Sequence, residues 1–182
     1  MKRFSGFTIV ELVVVIAVIG ILAAIVTVNL NATVVRSENA TRVEEVNQLK
    51  SLFELYKSRY KTYPEVALNA NPNLNFYCIG EGFPTISGEQ RCRDVNNATY
   101  KATVNAALNA DLKKVSGGAL PKVSGTLVGG ALGPFVEFTS TGIRINAVVE
   151  DTSTTFCPEN GLQLDYIEAS AKRALCYTSL TY

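Results

Sequence analysis

The side chains best suited to chemistry in this sequence are four cysteines, and their spacing favours disulfides over a metal site. Cys78, Cys92, Cys157 and Cys176 include no CxxC pair, and the chain contains no histidine. The absence of histidine excludes histidine-dependent catalytic triads, histidine proton shuttles and metal sites that need an imidazole ligand. Separations of 14 positions for the first two cysteines and 19 for the last two suit local disulfides.

The pairing of these cysteines is not unique, because four cysteines allow three connectivities. We favour Cys78–Cys92 with Cys157–Cys176, since each of these bridges closes a short loop. A closed loop of about 15 residues stabilises a fold by about 3 kcal/mol. Disulfides indicate an oxidising compartment outside the cytoplasm. Buried free thiols are the alternative interpretation.

The other chemically distinctive residue is Glu11, a carboxylate at the head of a long apolar run. Every residue from Leu12 to Val26 is apolar or glycine. An ionised carboxylate at membrane depth costs roughly 2.5–3.5 kcal/mol even on a lenient scale. No other side chain of the run is expected to pair with it. Glu11 is therefore predicted to be functional, with a partner outside its own apolar segment.

The apolar run has the length of a membrane span. Residues 7–28 would form a helix of about 33 Å, and the hydrocarbon core of a bilayer is about 30 Å thick. Lys2 and Arg3 precede this segment, which predicts a cytoplasmic N-terminus and places the rest of the chain outside. A secretory signal peptide is the alternative, but the run exceeds the usual length of about 7–15 apolar residues. The sequence therefore predicts a transmembrane helix over 7–28.

The helical pattern continues beyond the apolar run. Apolar residues recur at steps of three and four, which is the spacing of one face of a helix. These residues are Val46, Leu49, Phe53, Tyr56 and Tyr60. Neither proline nor glycine interrupts the pattern, and Pro64 ends it because the residue before a proline disfavours helical geometry. We expect one helix over about 7–61, in which residues 29–61 form the amphipathic half of a spine.

The stretch GFTIVELVVVIAVIGILAAIV, from Gly6 to Val26, resembles the type IV pilin family and its type II secretion pseudopilin relatives. This resemblance implies that residues 1–6 are a leader peptide. It implies that a prepilin peptidase cuts between Gly6 and Phe7 and methylates the new N-terminus at Phe7. It also implies that Glu11 neutralises the N-terminal amine of a neighbouring subunit during assembly. The only cation near that depth after cleavage is the new amine of Phe7, which fits this role.

The remainder, residues 62–182, is expected to form a globular head. Asn, Pro and Gly make the region from 62 to 92 an irregular loop, which a Cys78–Cys92 bridge would clamp. A short helix is predicted at about 98–115, ended by Gly117. Strand patterns follow from Phe135 and predict an antiparallel sheet at about 135–180. The predicted fold class is α+β, with the long N-terminal helix packed against a C-terminal antiparallel sheet.

Other motifs carry weaker signals. Three N-A-T triplets match the glycosylation acceptor pattern, which chance explains in a chain rich in Asn and Thr. They begin at Asn31, Asn39 and Asn97. A basic patch for DNA is conceivable at Lys113, Lys114 and Lys122. Base stacking needs exposed aromatic rings beside the charges, and the nearest ring, Tyr100, is expected to face the core.

The predicted function is structural, because no nucleophile–base constellation occurs and no cofactor or metal site is indicated. We expect a type IV pilus subunit that polymerises through its apolar helix into a filament for adhesion, twitching motility or DNA uptake. The implied partners are copies of the chain, minor pilins, the prepilin peptidase, the pilus assembly platform and the inner membrane before assembly, with DNA a weaker prediction. The alternatives are a type II secretion pseudopilin and a membrane-anchored DNA- or surface-binding protein that never polymerises.

Overall fold

The computed structural model describes residues 8–69, 75–93, 101–122 and 130–182, with residues 25–30 described in their backbone alone. The first element is the helix α1, Ile9–Tyr60. The chain divides into two compact units, Met1–Ser37 and Glu38–Tyr182. The helix ends at Tyr60 because Lys61 adopts a left-handed φ of 65° and Pro64 follows. The expected helical spine over about 7–61 is thus observed from Ile9 onward.

The second unit is built around one sheet that joins every described strand. Its elements along the chain are β1 (Phe76–Cys78), β2 (Thr85–Ile86), β3 (Glu89–Arg93), β4 (Ala102–Val104), α2 (Ala106–Lys113), β5 (Phe135–Phe138), β6 (Gly142–Val149), α3 (Phe156–Glu159), β7 (Gln163–Glu168) and β8 (Arg173–Thr181). The strand order is β2-β3-β4-β1-β5-β6-β8-β7. All neighbours pair antiparallel except β1 and β4, which run parallel.

The main core lies between one face of α1 and one face of this sheet. Alternation along β6 directs Ile143, Ile145 and Ala147 toward the helix, as their spacing predicted. The helix contributes Val43, Val46, Leu49, Leu52, Phe53 and Tyr56 to the same cluster. The helix packed against a predominantly antiparallel sheet confirms the α+β fold class.

The structure corrects the expected extent of loop and helix in residues 62–115. The region from 62 to 92 contains three strands of two to five residues, β1 to β3, rather than an irregular loop alone. The helix predicted at about 98–115 is too long, because Ala102–Val104 is a strand. Asn105 begins the helix by accepting a bond from the backbone N–H of Leu108 at 3.1 Å. The β-branched pair Thr103 and Val104 favours the strand, and the asparagine is a strong N-cap.

A buried polar side chain attaches α1 to the end of β6. Asn39 is only 3% exposed. Its amide nitrogen donates to the carbonyl of Glu150 at 3.1 Å, and its amide oxygen accepts from the backbone N–H of Glu150 at 3.0 Å. One side chain thereby pairs both the backbone N–H and the backbone carbonyl of Glu150. Asn39 is consequently a structural residue, and its N-A-T triplet is a poor acceptor for glycosylation.

Arg42 lies on the same side of α1 and is 2% exposed. Burial lowers the pKa of its guanidinium, and the nearby carboxylates of Glu45, Glu38 and Glu150 oppose that shift. A buried charge is tolerated when opposite charges surround it, although the cost of removing it from water offsets part of their favourable electrostatic interaction. This part of the helix is therefore held to the sheet by polar as well as apolar contacts.

We expect Asn39→Ala to lower the free energy of unfolding by about 2 kcal/mol, since it leaves two backbone groups of Glu150 without their partner. Asn47→Ala is the matched control, because Asn47 is an exposed asparagine on the same helix and its removal is expected to cost about 0.5 kcal/mol or less. Chemical denaturation of the full chain in detergent, followed by circular dichroism, measures both. Equal losses in the two variants would contradict the role assigned to Asn39.

Candidate assembly site

The first turn of α1 is closed by a reciprocal cap between Thr8 and Glu11. Glu11 Oε2 accepts from the backbone N–H of Thr8 at 2.9 Å and from its hydroxyl at 2.8 Å. The Thr8 hydroxyl oxygen in turn accepts from the backbone N–H of Glu11 at 3.2 Å. Thr8 is the N-cap and Glu11 the third helical residue, which is the arrangement of a capping box. A carboxylate in the first turn also complements the positive end of the helix dipole.

The capping box corrects one expectation from the sequence. Glu11 was expected to have no partner side chain within its own segment, and Thr8 is such a partner. The signal was present in the sequence, because a Thr followed three residues later by a Glu before an apolar run is the signature of this cap. Both observed bonds to the carboxylate end on Oε2, so Oε1 can accept from a further donor.

The helix surface on both sides of Glu11, from Ile9 to Leu22, is otherwise apolar all round. Its large hydrophobic residues from Ile9 to Leu22 are between 49% and 82% exposed within the chain. An exposed apolar surface of this extent marks a site of contact with a membrane or another protein. Within the residues whose side chains are described, no helical stretch combines the length and hydropathy that crossing a membrane requires.

The predicted processing residues Gly6 and Phe7 lie outside the described residues. The predicted span of 7–28 is described as helix from Ile9 onward. Cleavage after Gly6 and methylation of Phe7 stay predictions, as does the role of Glu11 toward a neighbouring subunit.

The four cysteines form two disulfides with the pairing that their separations favoured. Cys78 on β1 is bonded to Cys92 on β3, with their Cα atoms 5.6 Å apart. Cys92 lies where β3 shifts its register against β4, between Arg91 and Arg93. Cys157 on α3 is bonded to Cys176 on β8, with a Cα separation of 5.5 Å. The first bridge therefore joins two strands of the sheet, and the second joins α3 to a strand of the same sheet.

The lysines considered for a basic patch form ion pairs in two of three cases. Lys113 Nζ lies 2.6 Å from a carboxylate oxygen of Glu81, and Lys114 Nζ lies 2.5 Å from Asp111. The hydrogen bond from Lys114 to Asp111 raises the pKa of the Lys114 ammonium. Across the described ranges, no group of His, Cys, Asp and Glu is arranged to hold a metal ion. Tyr100 lies outside those ranges.

Comparison with known proteins identifies the family. Residues 1–27 match the family described as the prokaryotic N-terminal methylation motif. A fimbrial protein of Pseudomonas aeruginosa is 35% identical over 123 residues, which are 66% of this chain and 75% of the relative. The chain belongs to the type IV pilin family. A second fimbrial protein of the same organism matches to the same extent, so this pilin shares most of its relatives' length, including part of the head.

The pilin also resembles the pseudopilin branch of the family over a shorter stretch. The type II secretion system core protein G of Aeromonas hydrophila is 35% identical over 63 residues, 35% of this chain and 44% of the relative. No solved structure gives a significant match. Family membership establishes a pilin-type structural role and favours that role over an enzymatic one.

Proposed function

We propose that this chain is the structural subunit of a type IV pilus, made as a membrane-held precursor and polymerised through the apolar part of α1. The similarity to fimbrial proteins over three quarters of their length carries this proposal. The exposed apolar residues between Ile9 and Leu22 support it, because a filament core or a membrane would cover them. Covering apolar surface contributes about 25 cal/mol per Å² removed from water.

Processing after Gly6 would supply the partner that Glu11 needs. The peptidase would leave the α-amino group of Phe7 as the new N-terminus, and a methyl group there would preserve its positive charge at neutral pH. An unpaired carboxylate in an apolar filament core is costly, whereas an ion pair with the amine of a neighbouring subunit reduces that cost. Oε2 would keep its bonds to Thr8 while Oε1 receives the neighbour's amine, so capping and assembly are compatible.

The finished filament is proposed to lie outside the cell, where both disulfides would persist. The precursor would be a single-pass inner-membrane protein with its N-terminus in the cytoplasm. Its partners in that membrane would be the prepilin peptidase and the assembly platform. Copies of the chain and minor pilins would be its partners in the polymer. Adhesion, twitching motility and DNA uptake are the functions that such a filament would serve.

A type II secretion pseudopilin is the second candidate function, and the similarity to core protein G favours it. Deletion of the gene separates the two. If the chain is a pilus subunit, the deletion is expected to remove long surface fibres and to leave protein export intact. If the chain is a pseudopilin, the deletion is expected to abolish protein export and to leave long surface fibres in place.

We expect the mature chain to begin at a methylated Phe7, because Gly6 ends the leader. Mass spectrometry of fibres sheared from cells, with N-terminal peptide mapping, measures the site and the added mass of one methyl group. Retention of Met1, or a cut within the apolar run such as after Ala24, would overturn the processing proposal. Absence of this chain from the fibres would overturn its proposed role as a pilus subunit.

A further inference from the structure

The turn that ends α3 contains the only Asn–Gly pair in the sequence, Asn160–Gly161. Asparagine is a labile residue, and a following glycine favours its deamidation because no Cβ hinders attack by the glycine nitrogen. Both residues are exposed. Apart from its chain neighbours, no described residue has an atom within 4 Å of where a Cβ of Gly161 would lie. The pair is therefore open to water and free of steric protection.

Hydrogen bonds nevertheless hold both groups that would react. Gly161 takes the left-handed position after the helix, with a φ of 74°. Its backbone N–H donates to the carbonyl of Pro158 at 3.0 Å. The side-chain amide of Asn160 donates to the carbonyl of Phe156 at 2.8 Å. The Gly161 nitrogen can reach the Asn160 side chain for attack only after these bonds have opened.

Both ends of this turn are anchored in the core. The backbone N–H of Leu162 donates to the carbonyl of Cys157 at 2.9 Å, which together with the bond from Gly161 completes a Schellman motif. Leu162 is buried, and Cys157 is buried and bonded to Cys176 on β8. Because local opening is rare where a segment is tied to the core, the disulfide is expected to keep the turn closed.

We propose that Asn160–Gly161 is a site of spontaneous deamidation and that the Cys157–Cys176 disulfide limits its rate. The Gly161 nitrogen forms a bond to Cγ of Asn160, the Cγ–Nδ2 bond breaks, and ammonia leaves with the proton of the Gly161 N–H. Water then opens the resulting succinimide ring at either carbonyl, which gives aspartate or isoaspartate at position 160. Water is the co-reactant. The proposal goes beyond the structural role proposed above and does not depend on polymerisation.

Deamidation weakens the turn in which it takes place. An ionised carboxylate at position 160 cannot donate to the carbonyl of Phe156, and it adds a negative charge next to Glu159. Isoaspartate also lengthens the backbone by one carbon atom, which moves the Gly161 N–H away from the carbonyl of Pro158. Opening of the turn and deamidation therefore favour each other, and the disulfide opposes both.

The test is incubation of the full chain in nonionic detergent and neutral buffer, followed by peptide mapping with mass spectrometry and enzymatic methyl labelling of isoaspartate. In urea, Asn160 is expected to deamidate about tenfold faster than in the folded chain, as for the loss of two ordinary hydrogen bonds. Gly161→Ala is expected to stop the reaction in urea over the same incubation, because the added methyl group hinders attack. Asn47, an exposed asparagine followed by Gln48, is the internal control and is expected to stay unmodified.

The role of the disulfide is tested with the double variant Cys157→Ala and Cys176→Ala. Without urea, its Asn160 is expected to deamidate about tenfold faster than in the unmodified chain, because the turn opens more often. Cys78→Ala with Cys92→Ala is the matched control, since it removes the other bridge, and its rate is expected to stay within about twofold.

Asn160→Asp tests the same coupling from the product side, with both bridges in place. Its Cys157–Cys176 disulfide is expected to be reduced by dithiothreitol about fivefold faster than in the unmodified chain, as for one lost hydrogen bond. The rate for Cys78–Cys92 is expected to be unchanged. This measurement decides the role of the disulfide if circular dichroism shows that the double cysteine variant is unfolded.

Three results would overturn the proposal. The first is an intact Asn160 amide after incubation in urea, and the second is an equal rate of deamidation with and without urea. The third is equal acceleration in the two folded double cysteine variants or, where the first of them does not fold, unchanged reduction of Cys157–Cys176 in Asn160→Asp.

Discussion

Replacing Glu11 with alanine is expected to abolish filament assembly while leaving membrane insertion of the precursor intact or improved. Insertion gains because an ionised carboxylate at membrane depth costs roughly 2.5–3.5 kcal/mol. Assembly fails because the N-terminal amine of the neighbouring subunit loses its counter-ion in an apolar core, where an uncompensated charge costs about 3–5 kcal/mol. Electron microscopy of sheared fibres and fractionation of the membrane measure the two effects separately.

Two further variants distinguish the charge of Glu11 from its place in the capping box. Glu11→Gln retains a residue that can complete the cap, since glutamine serves at this position, but removes the charge. We expect it to fail in assembly like the alanine variant. Thr8→Val removes the capping hydroxyl and keeps the charge, so it is expected to assemble with a helix end weakened by about 1 kcal/mol. Normal fibres from Glu11→Gln would refute the ion-pair role.

The second large effect is expected in the core, from Phe53→Ala. Phe53 has no exposed surface, and its ring lies edge-on to that of Phe138, with 6.3 Å between centroids. Truncation of a buried phenylalanine costs about 3–5 kcal/mol, because transfer energy is lost and a cavity remains. We therefore expect the free energy of unfolding to fall by that amount, measured by denaturant titration of the full chain in detergent.

Leu55→Ala is the matched control for Phe53→Ala. Leu55 lies two positions further along the same helix and is 50% exposed, so its truncation is expected to cost about 0.5 kcal/mol or less. Helix propensity favours alanine at both positions and does not separate the variants. Losses of similar size would show that the helix is not packed on the sheet through Phe53. A selective loss of fibres in Leu55→Ala would instead assign that side chain to contact between subunits.

The candidate assembly site at Glu11 could be predicted only in part from the sequence. The energetic cost of a carboxylate beside an apolar run singled out Glu11 without knowledge of the fold. Thr8 was not singled out from the sequence, although its spacing from Glu11 matches a capping box. The contact between the rings of Tyr63 and Tyr182 could not be foreseen, because these two residues are brought together by the path of the chain. The basic residues noticed in the sequence, Lys113 and Lys114, are paired with carboxylates instead.

The sequence by itself determined the parts of this pilin that depend on near neighbours. The helical spacing of apolar residues predicts α1, and the alternation of apolar and polar residues predicts β5 to β8. The short distances between cysteines along the chain favour the observed disulfide pairing. Only the tertiary structure decided the rest: the strands of two to five residues in β1 to β4, the parallel pairing of β1 with β4, the attachment of Asn39 to Glu150, and the contact between Tyr63 and Tyr182. A repeating pattern records contacts within a few residues, and strands this short contain too few repeats to be recognised. Contacts between distant segments depend on how all the helices and strands pack together to bury their apolar faces.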